Sequence, residues 1–141
     1  MKNIKEKIKQ TRDSFNDIYK KGYNKDYPSI ELVRISNSLK INKSFKILDY
    51  GCGPGSNGLH FVNKGNIVTF VDVSEFALKN LKKKIPSSKR KNVLFDLVSP
   101  ESTKLNFDRG KFDLIICLSV YNNFVNRDHS NLMFKEFSRL L

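Results

Sequence analysis

Apolar residues fall along this chain in two rhythms, helical spacings and short unbroken runs, and the two alternate. Ile4, Ile8, Phe15, Ile18 and Tyr19 share one side of a helix over Met1–Lys21, with Gly22 placed as its C-cap. Tyr27-Pro28-Ser29 reads as a turn with Ser29 as N-cap, and Ile30, Val33 and Leu39 mark a second helix leading towards Ile41. Phe45, Ile47 and Leu48 form a brief apolar run suited to a buried parallel strand, closed by Asp49. Leu59, Phe61 and Val62 then predict a helix ending at Gly65. Ile67–Asp72 is a β-branched strand, and Ser74 caps a helix over Glu75–Ile85 that Pro86 stops. Val93-Leu94-Phe95 makes a third strand closed by Asp96, and Ser99–Gly110 is a polar loop. Phe112–Leu118 is the fourth strand. Asp128 caps the last helix, whose apolar positions are Leu132, Met133, Phe137, Leu140 and Leu141.

Strands alternating with helices predict an α/β fold with a doubly wound parallel sheet of about four strands. A chain of 141 residues supports one core rather than two. It divides into N-terminal helices over residues 1–44, expected to cover a site, and a sheet domain over residues 45–141.

The organising stretch is FKILDYGCGPGSNG at Phe45–Gly58, a strand, a glycine turn and a helix start. Glycines let the backbone bend sharply and let a ligand lie directly against it, and a helix start offers unpaired N–H groups. Gly53–Gly58 fits GxGxxG, the dinucleotide fingerprint. Asp49–Gly55 fits a different pattern, an acid at the strand end followed by GxGxG. That acid would repel a pyrophosphate but attracts the ammonium of an amino-acid ligand. Asp72, some twenty residues past the turn, suits a bidentate hydrogen bond to the two hydroxyls of a ribose.

On these residues the chain resembles the class I S-adenosylmethionine-dependent methyltransferases, from about Phe45 to Leu141. The resemblance implies a Rossmann-like fold with S-adenosylmethionine as cofactor. Asp49 and the turn residues Gly51, Cys52, Gly53 and Gly55 would meet its methionine part, and Asp72 with Val73 its ribose. Asp96 would accept from the adenine amino group while the Leu97 amide meets a ring nitrogen. The backbone at Cys117 and Leu118 would lie near the methionine part. Tyr121, Asn122 and Asn123 would face the acceptor as candidates for orienting it. Three carboxylates at three strand tips are thus expected to converge on one crevice. Family members continue past such a final helix into a glycine-rich turn, a fifth strand and a hairpin, so the sheet is expected to be incomplete. Its fourth strand would then be an edge open to self-association.

Charge changes this picture little. The net charge of +12 invites an acidic partner such as RNA, and Lys79–Lys91 is its densest block. A lysine-rich surface with no interleaved aromatic residues leaves nucleic acid the less favoured partner. Cys52 and Cys117 are too few and too far apart for a zinc site and are expected as free thiols, with no metal. His60 and His129 are read as surface histidines. The charged start MKNIKEKIKQ lacks the apolar centre of a secretory signal and no run approaches a membrane span, so a cytoplasmic protein is expected.

The function so predicted is methyl transfer from S-adenosylmethionine to a small-molecule acceptor. Such chemistry needs alignment and exclusion of water more than a catalytic triad. The rival readings are a catalytically incomplete S-adenosylmethionine-binding module, an RNA methyltransferase, and a nicotinamide-binding oxidoreductase.

Overall fold

In the computed structural model residues 3–141 are described, so the first two positions of the predicted N-terminal helix lie outside them. The chain forms α1 (Ile4–Lys20), α2 (Ile30–Ser38), β1 (Lys46–Tyr50), α3 (Ser56–Lys64), β2 (Ile67–Asp72) and α4 (Glu75–Lys84). A 3₁₀ turn at Ser87–Asn92 leads into β3 (Val93–Leu97), followed by β4 (Leu114–Ile116), a 3₁₀ turn at Tyr121–Asn123 and α5 (Arg127–Leu140). The four strands are all parallel, in the order β3-β2-β1-β4. This is the Rossmann-like sheet expected from the alternating pattern, with β4 at one edge.

Alternation along the central strands sends successive side chains to opposite faces. Ile47, Val68 and Phe70 enter one core with Phe61, Leu78 and Leu81 of α3 and α4. Leu48, Tyr50 and Val71 enter a second core with Met133, Phe137 and Leu140 of α5. Helices therefore cover both faces, as a parallel sheet requires.

Local signals explain most boundaries. Ser74 Oγ accepts the Ala77 amide as the N-cap of α4, and Gly22, at φ +90°, follows the C-terminus of α1. Asp113 accepts the Lys46 amide at 2.7 Å and donates its own amide to Lys46 O, which sets the register where β1 begins.

Four expectations about these elements need correction. Strand four is Leu114–Ile116 rather than Phe112–Leu118. Its partner β1 leaves the sheet at Gly51, whose amide turns to Val71 O, so nothing is left for β4 to pair with beyond that level. Asn126, not Asp128, caps α5, its Oδ1 accepting the His129 amide at 2.8 Å. His129 is buried, not on the surface. Its Nδ1 accepts the Val125 amide, its Nε2 lies 2.9 Å from Ser102 O, and its ring packs on Phe124. In α1 the inward stripe runs through residues 8, 11, 12, 15, 16 and 19, leaving Ile4 and Ile18 exposed.

Candidate functional site

The site is built where β1 and β2 end. The Gly51 and Cys52 amides both donate to Val71 O, at 2.7 and 3.1 Å, folding the chain back over the tip of β2. Gly53 then donates to Asp72 Oδ2 at 2.8 Å, while Asp72 Oδ1 accepts the Ser74 amide at 2.9 Å. Gly58, in the first turn of α3, donates to Asp49 Oδ2 at 2.9 Å. The two strand-tip acids thus pin the glycine turn from either end.

Electrostatics follow from this burial. Desolvation pushes the Asp49 carboxyl up to about 7, with the Gly58 amide opposing and the Asp72 carboxylate adding to the rise. Asp72 is raised too, chiefly by burial, against the amides that stabilise its charged form.

A cavity of about 740 Å³ opens beside the turn. Its floor is Gly51–Pro54 with Asp72 and Val73, one wall is Leu118–Val120 with Asn123 and Phe124, and its cover is Phe15 and Tyr19 of α1. Tyr19 is buried, with its hydroxyl aimed at the turn: a Cβ built on Gly53 would lie 2.5 Å from Tyr19 Oη. Gly53 also has φ +50°, a second reason for glycine there. Burial, then the nearby Asp72 charge, hold the Tyr19 phenol well above its ordinary range, so it is a proton donor. Among the described residues, none accepts a hydrogen bond from that hydroxyl.

The cover is fastened at several points. Arg12 Nη2 donates to Ser99 Oγ at 3.0 Å, Ser74 Oγ donates to Asn16 Oδ1 at 2.6 Å, and Asn80 Nδ2 donates to Tyr19 O at 2.9 Å. Lys84 Nζ bridges Asn24 and the Pro54 carbonyl of the turn itself.

Of the residues predicted for the site, Gly51, Cys52, Gly53, Asp72, Val73 and Asn123 line this cavity. Leu97 lines an adjoining pocket of about 400 Å³ that shares Val73 and Val98 with it. Gly55, Asp49, Asp96, Cys117, Tyr121 and Asn122 do not line the cavity. Gly55 is turned against Leu81, and Tyr121 stacks on Phe134 of α5. The expected convergence of three carboxylates is therefore corrected: only Asp72 opens on the crevice. The strand register gives the reason. Asp49 pairs level with Phe70, Asp96 with Val71, and Asp72 with Leu97, so the acids stand on three successive rungs. Asp49, on the lowest, is enclosed beneath the turn. Cys52 and Cys117 are both free thiols, and among the described residues no cluster of metal-ligating side chains occurs.

Phe15 and Thr11 were not singled out as site residues by sequence. Their one signal was an amphipathic helix upstream of the turn, which had to bury its stripe on something.

A family described as "Methyltransferase domain" matches residues 47–141. The chain belongs to that methyltransferase family. S-adenosylmethionine, the cofactor expected from the sequence, goes with it. An uncharacterised methyltransferase of Schizosaccharomyces pombe is 32% identical over 94 residues, covering 66% of this chain and 63% of that protein. A histidine protein methyltransferase 1 homologue of Dictyostelium discoideum is 34% identical over 77 residues, covering 54% and 25%. This methyltransferase chain thus spans less than two thirds of the length of these relatives. Among solved structures, a protein from work on converting a disulfide into a thioacetal in echinomycin biosynthesis aligns at TM-score 0.72. It is 20% identical, with 92% of this chain and 55% of that one covered. The glycopeptide N-methyltransferase MtfA complexed with sinefungin aligns at TM-score 0.64, 16% identical, covering 79% and 44%. At such identities the likeness is one of fold. No helix among the described residues is long and apolar enough to cross a membrane.

Proposed function

We propose that this chain binds S-adenosylmethionine and forms the donor-binding part of an enzyme that methylates a small-molecule acceptor. The observation that carries the proposal is the glycine turn pinned between Asp49 and Asp72, with its open side facing a cavity capped by Tyr19. That cavity falls within the ~300–1,000 Å³ usual for small-molecule sites. The amides of Gly51, Cys52, Gly53, Gly55 and Gly58 all donate to protein acceptors. A pyrophosphate needs those amides free, and the Asp49 carboxylate already takes the Gly58 amide, so a dinucleotide fits poorly. An adenosyl amino acid needs a ribose acceptor instead, and Asp72 supplies one: each carboxylate oxygen keeps a lone pair beyond its amide partner.

Bound S-adenosylmethionine supplies a methyl group activated by its sulfonium. The chain's own residues hold and screen it. Asp72 takes the ribose hydroxyls, and in the adjoining pocket Val73, Leu97 and Val98 offer apolar surface to the adenine ring beside the polar Arg12, Asn16, Glu75 and Ser99. Gly51–Gly53 let the methionine part lie against the backbone, and the Tyr19 hydroxyl donates to it. The helices of residues 1–44 exclude water over the cavity, and Asn123, the predicted acceptor-side residue that lines it, helps orient the acceptor.

Thermal unfolding with S-adenosylhomocysteine and, separately, with NADH tests this directly, because only a ligand of the folded state raises the melting temperature. A rise with the first alone is expected. A rise with NADH alone would overturn the reading, and mass spectrometry of copurified ligands gives an independent check. Donor binding with no turnover on any acceptor would instead support the binding-module reading.

A further inference from the structure

We propose that the outer face of α4 and the 3₁₀ turn after it bind the phosphodiester backbone of a nucleic acid duplex. Lys79, Lys82 and Lys83 stand three and four residues apart on α4, which puts them on one helix face. Lys89, Arg90 and Lys91 follow in the 3₁₀ turn Ser87–Asn92, where three residues per turn spread them around its axis. All six are exposed except the half-buried Lys89. From Phe76 to Phe95 the chain carries no acid.

These charges are not neutralised within the fold. Two ion pairs occur among the described residues, Lys21–Asp17 and Arg139–Glu136, and neither touches this face. Where the cations meet a partner it is neutral: Lys89 Nζ donates to Asn63 Oδ1 at 2.7 Å, and Lys82 Nζ lies 4.9 Å over the Phe95 ring. Helix α1 packs on α4, but its Asp17 is held by Lys21. Asp26 acts on Lys84, whose ammonium is committed to Asn24 and Pro54, so Lys84 is left out of the set.

Six like charges on α4 and the turn that follows it, with Glu75 four residues before Lys79 as the one acid of that helix, repel one another, and a row of phosphates relieves that repulsion while releasing counterions. Duplex backbone fits better than unstacked bases, because the aromatic rings beside the cations are themselves covered, Phe95 by Lys82 and Phe76 by Lys20 of α1. It also fits better than a membrane surface. Of the apolar residues of α4, Ala77, Leu78 and Leu81 are buried and the half-buried Phe76 lies under Lys20 of α1, so the helix has no free outward anchor. The 3₁₀ turn lies where β3 begins, at the amino ends of the strands, while α4 touches the cavity's lining through Asn80, which donates to Tyr19 O, and Lys84, which donates to Pro54 O. Neither Asn80 nor Lys84 is altered in the variants below, so duplex binding is read separately from donor binding.

The test is fluorescence anisotropy with labelled RNA and DNA duplexes of about 20 base pairs, titrated between about 50 and about 200 mM salt. The triple variant K82E/K83E/R90E should bind at least tenfold more weakly, with its log–log salt slope shallower by about 3. The control triple variant R109E/K111E/K135E removes the same charge elsewhere and should bind nearly as the parent does. Circular dichroism shows that each variant is folded, and K82Q/K83Q/R90Q repeats the test without charge reversal. Equal loss in the control overturns the proposal, as does failure of the parent to bind either duplex. Binding to phosphatidylserine vesicles in preference to duplex overturns it in favour of a membrane surface.

Discussion

The Asp49 carboxylate accepts the Gly58 amide at 2.9 Å inside the first turn of α3, so the acid that ends β1 acts as the anion of a helix N-terminus. This bond is bought with burial, which pushes the carboxyl from its ordinary 3.8 up to about 7. A folded value above the unfolded one means that the folded state binds the proton more tightly. The contribution to stability is thus fully present below about pH 4 and is lost as pH rises through about 7. Asp49→Asn keeps an oxygen for Gly58 and cannot ionise. In urea unfolding the variant should gain on the parent steadily from pH 4 to pH 8, by an amount on the order of 2–4 kcal/mol. A difference that does not change with pH would show that Asp49 titrates as an ordinary carboxylate.

Gly58 has a separate constraint. A Cβ there would overlap the edge of the Phe70 ring and come within 2.8 Å of Asp49 Oδ2. Phe70 is fully buried and stacks on Phe95 with centroids 5.7 Å apart, so it has little room to retreat. Alanine in a helix ordinarily gains ~1 kcal/mol over glycine, but overpacking a tight core costs ~1–3 kcal/mol and a displaced Asp49 adds to that. Gly58→Ala should lower the urea midpoint, and the added substitution Phe70→Leu should recover part of the loss.

Much of this was legible in the sequence, and the exceptions have a common cause. Ser74 as a cap and Pro86 as a stop are local signals, decided within a few residues, and the structure matches them, while the C-cap of α1 is Lys21, one residue before the expected Gly22. The turn's glycines announced a close backbone approach. What sequence missed depends on which rung an acid occupies and on what packs over it. Asp49, Asp72 and Asp96 look equivalent along the chain, yet register separates them by one rung each. His129 looks like a surface residue until loop amides and carbonyls close around its ring. Both outcomes arise from long-range pairing, which no window of sequence contains.

Asp72 holds two amides and faces the cavity, so its removal has two consequences that can be measured apart. Asp72→Ala strips the acceptor from Gly53 and Ser74 and should destabilise the fold by about 1–3 kcal/mol. It should also weaken S-adenosylhomocysteine binding by about 1–3 kcal/mol in calorimetry, through loss of charge-assisted bonds to the ribose. Asp72→Asn retains an oxygen acceptor and should be the more stable of the two variants while still binding weakly. Unchanged affinity in both would move the ribose contact to another residue.

Tyr19 offers the cleanest separation of binding from packing. Its ring stacks near Phe15 and meets Tyr23 edge-on, with centroids 6.4 and 6.0 Å away, and Tyr19→Phe preserves both contacts. The substitution deletes only a hydroxyl at the cavity wall that no described residue accepts from. With the ring packing kept and no protein hydrogen bond lost, the urea midpoint should be nearly unchanged. Affinity for S-adenosylhomocysteine should fall by about 0.5–1.5 kcal/mol, the usual worth of one hydrogen bond, if the hydroxyl donates to the amino-acid end of the donor. A tyrosine that only packs would show no such loss, so the pair of measurements, stability held and affinity reduced, assigns the hydroxyl to the ligand.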